Sequence, residues 1–165
     1  MLLVAGSFIT SGLVADPAPI VKEGPEHRDP LPVNPASPVP TEARRMALES
    51  ADAFTNDGFR VRDAEWPFSL NKATPAFLAV TLFNGNRYWF VTATPTPGVK
   101  LRVTIYDSSG NPVKSEQWQD TGEHGGSRAA AGIAPDTSGN YFVSVELLEN
   151  PSDQQLDCSL VSAYK

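Results

Sequence analysis

The sequence predicts an all-β protein, an antiparallel β-sandwich of seven or eight strands preceded by one short N-terminal helix. Three observations carry this. Leu101, Val103 and Ile105 alternate with Arg102, Thr104 and Tyr106 before Asp107-Ser-Ser-Gly-Asn-Pro breaks the pattern, which is a strand followed by a turn. Segments of the same kind recur on both sides at roughly ten-residue spacing, the rhythm of antiparallel sandwiches and barrels. Convincing helical periodicity is confined to residues 41–56, ahead of all of them.

In that helix Thr41 follows Pro40 and can cap, Glu42 suits the first turn, and Ala43, Met46, Ala47, Ala51 and Phe54 recur at helical spacing. Asn56-Asp57-Gly58 is the stop signal, so 41–57 forms the helical unit and 58–165 the sandwich. Phe59-Arg-Val-Arg alternates as a first strand, which Trp66-Pro67-Phe68 interrupts. Residues 76–83, AFLAVTLF, are apolar enough to be buried on both faces. Asn84-Gly85-Asn86 is turn chemistry, and 87–94 is a strand with large side chains on both faces, so these two segments are expected to pair as a hairpin. Residues 113–119 form a polar strand carrying Trp118, and 121–127 are a glycine-rich loop. Residues 128–133, 141–148 and 156–164 complete the set. Tyr88, Phe90, Leu101, Val103, Ile105, Tyr141, Val143, Val145 and Leu160 occupy the apolar phases and are the expected core.

A chain of 165 residues with 41% hydrophobic content can bury one core of ordinary size. Its net charge of −6 and scattered basic residues, with no run longer than Arg44-Arg45, set it against nucleic acid, which demands clustered cations. Cys158 is alone, so no intramolecular disulfide, zinc cluster or CxxC pair can form. In phase with Leu160, it reads as a small buried hydrophobe.

Residues 1–15, MLLVAGSFITSGLVA, are apolar, too short to span a bilayer and followed by Asp16 after Leu13-Val14-Ala15, the pattern of a signal peptide. The expected location is therefore secreted, periplasmic or in the cell envelope, with no stable membrane span. Residues 16–40 hold eight of the 15 prolines. Proline lacks a ladder donor, so an extended spacer is expected, about 75 Å long at about 3.1 Å per residue. The alternative is that it lies along the domain and covers an edge strand.

Three patterns carry a family likeness. Gly85-x-x-Tyr88-x-Phe90, Leu101-x-Val103-x-Ile105-x-Asp107-x-x-Gly110 and Ser138-Gly139-x-Tyr141-x-Val143-x-Val145 resemble the bacterial pre-peptidase C-terminal (PPC-like) modules in order and spacing. The resemblance spans residues 82–164. It implies a small jelly-roll-like β-sandwich of the kind appended to secreted enzymes, a non-catalytic accessory module, and in some members a polymer or calcium ligand.

Glu123-His124-Gly125-Gly126-Ser127 holds the residue types of acyl transfer, but without a nucleophile elbow or a placed acid its histidine and serine have no fixed geometry. A hydrolase using His124 is accordingly the weakest reading, and His27 sits in the spacer. Asp107-x-Ser109-x-Asn111 begins like a calcium loop, yet the sixth position is Pro112 and the twelfth is Trp118, so Asp107 and Asn111 read as members of a strand-connecting turn.

The tryptophans remain. Tyr88 and Phe90 share one face of their strand and Trp89 the other, with Val91 and Ala93, so the helix with Met46 and Phe54 is expected to cover Trp89. Trp118 shares a face with Lys114, Glu116 and Asp120. A tryptophan among polar neighbours can stack on sugar rings, which makes Trp118, with Trp89 and Trp66, the candidate ligand-binding residues. The competing expectation, from the usual burial of large aromatics, is that Trp118 folds over a sandwich edge. The function read from this is a non-catalytic secreted binding or accessory module for a polysaccharide, another polymer or a protein, with no cofactor expected and calcium as the alternative. The alternative is a structural or assembly component of the cell envelope.

Overall fold

The computed structural model of the chain describes residues 41–122 and 125–165, with backbone alone at 63–65. The signal-like segment 1–15, the linker 16–40, His27 and His124 lie outside the described residues. Alternating segments form eight strands among those described: β1 Arg60–Leu70, β2 Ala76–Leu82, β3 Tyr88–Thr94, β4 Lys100–Tyr106, β5 Glu116–Asp120, β6 Ser127–Ile133, β7 Gly139–Glu149 and β8 Leu156–Tyr164. They make two antiparallel sheets, ordered β1-β8-β3-β6-β5 and β2-β7-β4.

The nested pairing of β1 with β8, β2 with β7 and β3 with β6 is the winding of a jelly roll. β5 departs from it by joining β6 instead of β4. The turn after β4 explains the departure. The Val113 N–H donates to the Ile105 carbonyl at 2.8 Å and Pro112 bridges Tyr106, but Pro112 has no N–H with which to continue a ladder, and the chain crosses to the other sheet by residue 116.

The inner faces of the two sheets enclose the main core, in which all nine expected residues, from Tyr88 to Leu160, are buried. Cys158 is buried there too, and desolvation pushes its thiol up to about 12.

Three local expectations are corrected. β1 runs unbroken through Trp66-Pro67-Phe68, with a register shift between Val61 and Glu65. As an edge strand it accommodates proline, whose missing donor costs nothing where no neighbour needs it. β2 is covered on one face, not two: Leu78 and Val80 pack on the core while Phe77, Ala79 and Thr81 are exposed. An apolar run thus marks a strand without marking what lies on each side of it.

The third correction is the hairpin. β3 is paired on both edges, by β6 and β8, so β2 has no place beside it and crosses to the smaller sheet. The Asn84-Gly85 connection is held elsewhere. The Asn84 N–H donates to Ser138 Oγ at 2.9 Å, its side-chain amide donates to the Asp136 carbonyl, and the Tyr88 hydroxyl accepts from the Phe83 N–H at 3.1 Å and the Asn86 amide at 3.2 Å.

The helix α1, Glu42–Asp52, runs on into a 3-10 helix at Ala53–Asp57 that Gly58 closes at φ 85°. Thr41 caps it, its hydroxyl accepting from the Arg44 N–H at 3.2 Å. Met46, Ala47 and Ala51 pack on Val91, Ala93, Ala130 and Val161, making α1 a third layer on the outer face of the larger sheet. Such close seating relies on missing side chains. A Cβ at Gly126 would lie 2.4 Å from Met46 Cε. Among the described residues no helix is long and apolar enough to cross a membrane.

Candidate ligand-binding groove

Strand register sets out the outer face of the larger sheet in rows. Glu116 lies beside Gly132 and then Trp89; Trp118 beside Ala130 and then Val91; Asp120 beside Arg128 and then Ala93. The helix covers the β3 end of these rows and leaves the β5 end open. A trough of about 530 Å³ remains between helix and edge strand. Ser50, Ala53 and Phe54, with Trp89 stacked on Phe54, form its inner wall, Arg128 its floor, and Glu116, Trp118 and Asp120 its far bank.

The two tryptophans of the groove play different parts. One face of the Trp89 indole stacks on Phe54, with centroids 4.5 Å apart and planes 17° from parallel. The other lies against Gly132, where an added Cβ would meet Cε2, Cζ2 and Cδ2 at 2.7, 2.8 and 3.0 Å. With both faces occupied, Trp89 is a wall and not a stacking platform, which corrects its candidacy as one and agrees with the expected shielding by the helix. Trp118 is 43% exposed, so the expectation of burial over a sandwich edge is overturned. β5 is the outermost strand of its sheet, and no strand lies beyond it among the described residues to cover the ring.

Charges along the groove are matched. Asp120 faces Arg128 at 3.5 Å, and their side chains are only 19% and 11% exposed, while Glu116 meets Arg87 at 3.1 Å. Asp120 also accepts from the Gly122 N–H at 3.0 Å. The groove therefore offers a flat aromatic face beside paired carboxylate acceptors and guanidinium donors, with no net charge among these four groups.

The remaining candidates lie elsewhere. Trp66 pairs with Leu160 in register and packs against the main core, on the opposite face of the sheet from the groove. Asp107 and Asn111 form a turn at the end of β4. There Asp107 Oδ1 accepts from the N–H groups of Ser109 and Asn111, both at 2.9 Å, and Gly110 takes φ 80°. The Asn111 N–H foremost holds the Asp107 carboxyl below the ordinary aspartate range. Among the described residues no three or more His, Cys, Asp or Glu side chains cluster as metal ligands.

Arg128 was not legible as a groove residue. The shared face of Glu116, Trp118 and Asp120 was readable from their spacing, but that it faces Trp89 follows from β5 pairing with β6, for which the sequence holds no local signal. No protein-family model matches the chain, and no curated protein matches it.

Proposed function

We propose that this chain is a non-catalytic, exported binding module of the kind its strand patterns resemble, and that its ligand is a neutral glycan polymer held in the groove between α1 and β5. The single observation that carries this is the exposed face of Trp118 beside the sheltered Arg128–Asp120 pair. A sugar ring presents C–H groups on its face and hydroxyls on its rim. The indole takes the face, the carboxylate accepts from hydroxyls and the guanidinium donates to them.

Charge selects the ligand class. Each acid of the groove has its own arginine, so a cationic ligand would have to displace Arg128 or Arg87, and an anionic one Asp120 or Glu116. A neutral polyol keeps both pairs intact. The same residues favour binding over catalysis: Glu116 and Asp120 have Cα atoms four strand positions apart, about 13 Å at about 3.3 Å per residue, and each carboxylate is engaged by its own arginine instead of by the other, unlike the paired carboxylates that cleave glycosides. Export rests on the apolar segment 1–15.

Affinity electrophoresis of the full chain through gels containing a panel of neutral polysaccharides tests the reading. At least one polysaccharide should retard the protein, and Trp118→Ala should weaken that binding at least about tenfold, about 1.4 kcal/mol. Equal retardation of both proteins, or retardation by none of the panel, would sink it.

A further inference from the structure

The edges of this sandwich are not defended alike. β1 carries Arg60, Arg62 and Pro67; β5 is five residues long and carries Glu116 and Asp120. β4 carries Lys100 and Arg102, and two of its carbonyls are already engaged: Leu101 accepts from the Gln119 side chain at 2.9 Å and Ile105 from the Val113 N–H at 2.8 Å. Charge, proline, shortness and covered backbone are the devices that stop an edge from pairing with another chain. Among the described residues β2 shows none of them. Ala76–Leu82 contains no charge and no proline and pairs with β7 without a bulge, and two of the exposed large hydrophobic side chains, Phe77 at 63% and Phe83 at 51%, flank its solvent face.

This edge is also complementary to itself. Residues 77–83 read Phe-Leu-Ala-Val-Thr-Leu-Phe, the same in both directions except at Ala79 and Thr81. An antiparallel pair with its two-fold axis at Val80 sets Phe77 against the second copy's Phe83, Leu78 against its Leu82, and Ala79 against its Thr81. The odd positions are the exposed ones, so aromatic meets aromatic twice and small meets small between them. Such an isologous contact closes at two copies and leaves no further sticky edge. Net charge −6 opposes association of two copies in general, and this uncharged strip is where that opposition is least; the palindromic pairing of 77–83 is what selects a second copy as occupant.

We propose that the protein forms a two-fold dimer through β2, merging two three-stranded sheets into one continuous sheet with cross-strand Phe77–Phe83 pairs at both ends. This is independent of the groove, which lies on the other sheet.

Sedimentation equilibrium of the full chain over a concentration series tests it, alongside Ala79→Lys. Ala79 is exposed, and the substitution places a lysine in each copy at diagonal positions about 8 Å apart across the axis, adding like charge to a strip that has none. The unsubstituted chain should reach the mass of two chains with a melting temperature that rises with concentration, and Ala79→Lys should stay at the mass of one with its circular dichroism unchanged and a melting temperature independent of concentration. If Ala79→Lys fails to fold, the double variant Phe77→Ser/Phe83→Ser should show the same loss of dimer. An unsubstituted chain that stays at the mass of one throughout, as when residues 1–40 or a different protein occupy the edge, overturns the proposal. So does a folded variant that dimerises as well as the original.

Discussion

The indole of Trp89 lies flat against Gly132, so close that a Cβ there would sit 2.7 Å from its ring, while Phe54 stacks on its other face at 4.5 Å. Glycine at 132 therefore makes room for the ring, and the ring ties the end of the helical layer to the sheet and forms one wall of the groove.

Gly132→Ala should destabilise the fold by about 1 to 3 kcal/mol, because Phe54 leaves the indole no direction in which to yield. Denaturant unfolding measures this. A variant as stable as the original would show that the ring does not rest on residue 132.

Phe54→Ala should cost about 2 kcal/mol through lost apolar burial and the lost aromatic pair. With Trp66 and Trp118 replaced by phenylalanine, the remaining Trp89 emission should shift to the red. Unchanged emission would mean that the helix does not shield the indole.

Asp107 gives the acid limb of stability a defined contribution. Its folded carboxyl ionises below the ordinary value of 3.8, chiefly because the Asn111 N–H donates to the charged form. Stability from this group is complete above the unfolded value and is lost as pH falls from 3.8 through the folded value, where the unfolded chain takes up the proton first. Asp107→Asn should flatten that limb in pH-dependent melting curves and remove its share of stability at neutral pH. Parallel curves for the two proteins would contradict the turn's hydrogen bonds.

Cys158 should resist thiol reagents in the folded protein at mildly alkaline pH, because burial raises its thiol to about 12 from an ordinary 9.0. In denaturant it should react at the rate of a free thiol. The linkage has the matching sign: stability from this group is full below 9.0 and declines as pH climbs towards 12, since the unfolded thiol ionises first. Fast labelling without denaturant would place the sulfur at the surface.

What the sequence determined alone is whatever depends on local period and local chemistry. Alternation placed Leu101, Val103, Ile105, Tyr141, Val143 and Val145 in the core, because side chains two apart on a strand must share a face. Helical spacing and a capping threonine placed α1 and its buried Met46, and the expectation that Phe54 and Met46 would shelter Trp89 followed from two apolar faces that each needed a cover. Partner choice between strands was decided only in three dimensions. Asn84-Gly85-Asn86 has the chemistry of a hairpin, yet β3 finds β6 and β8, and β2 finds β7. Backbone hydrogen bonds are alike for every strand, so pairing is chosen by how the covered faces fit together, a sum over contacts far apart in the chain. The groove exists for that reason: β5 joins β6 and not β4, which carries Trp118, Glu116 and Asp120 to the face where Arg128 and Trp89 already stand.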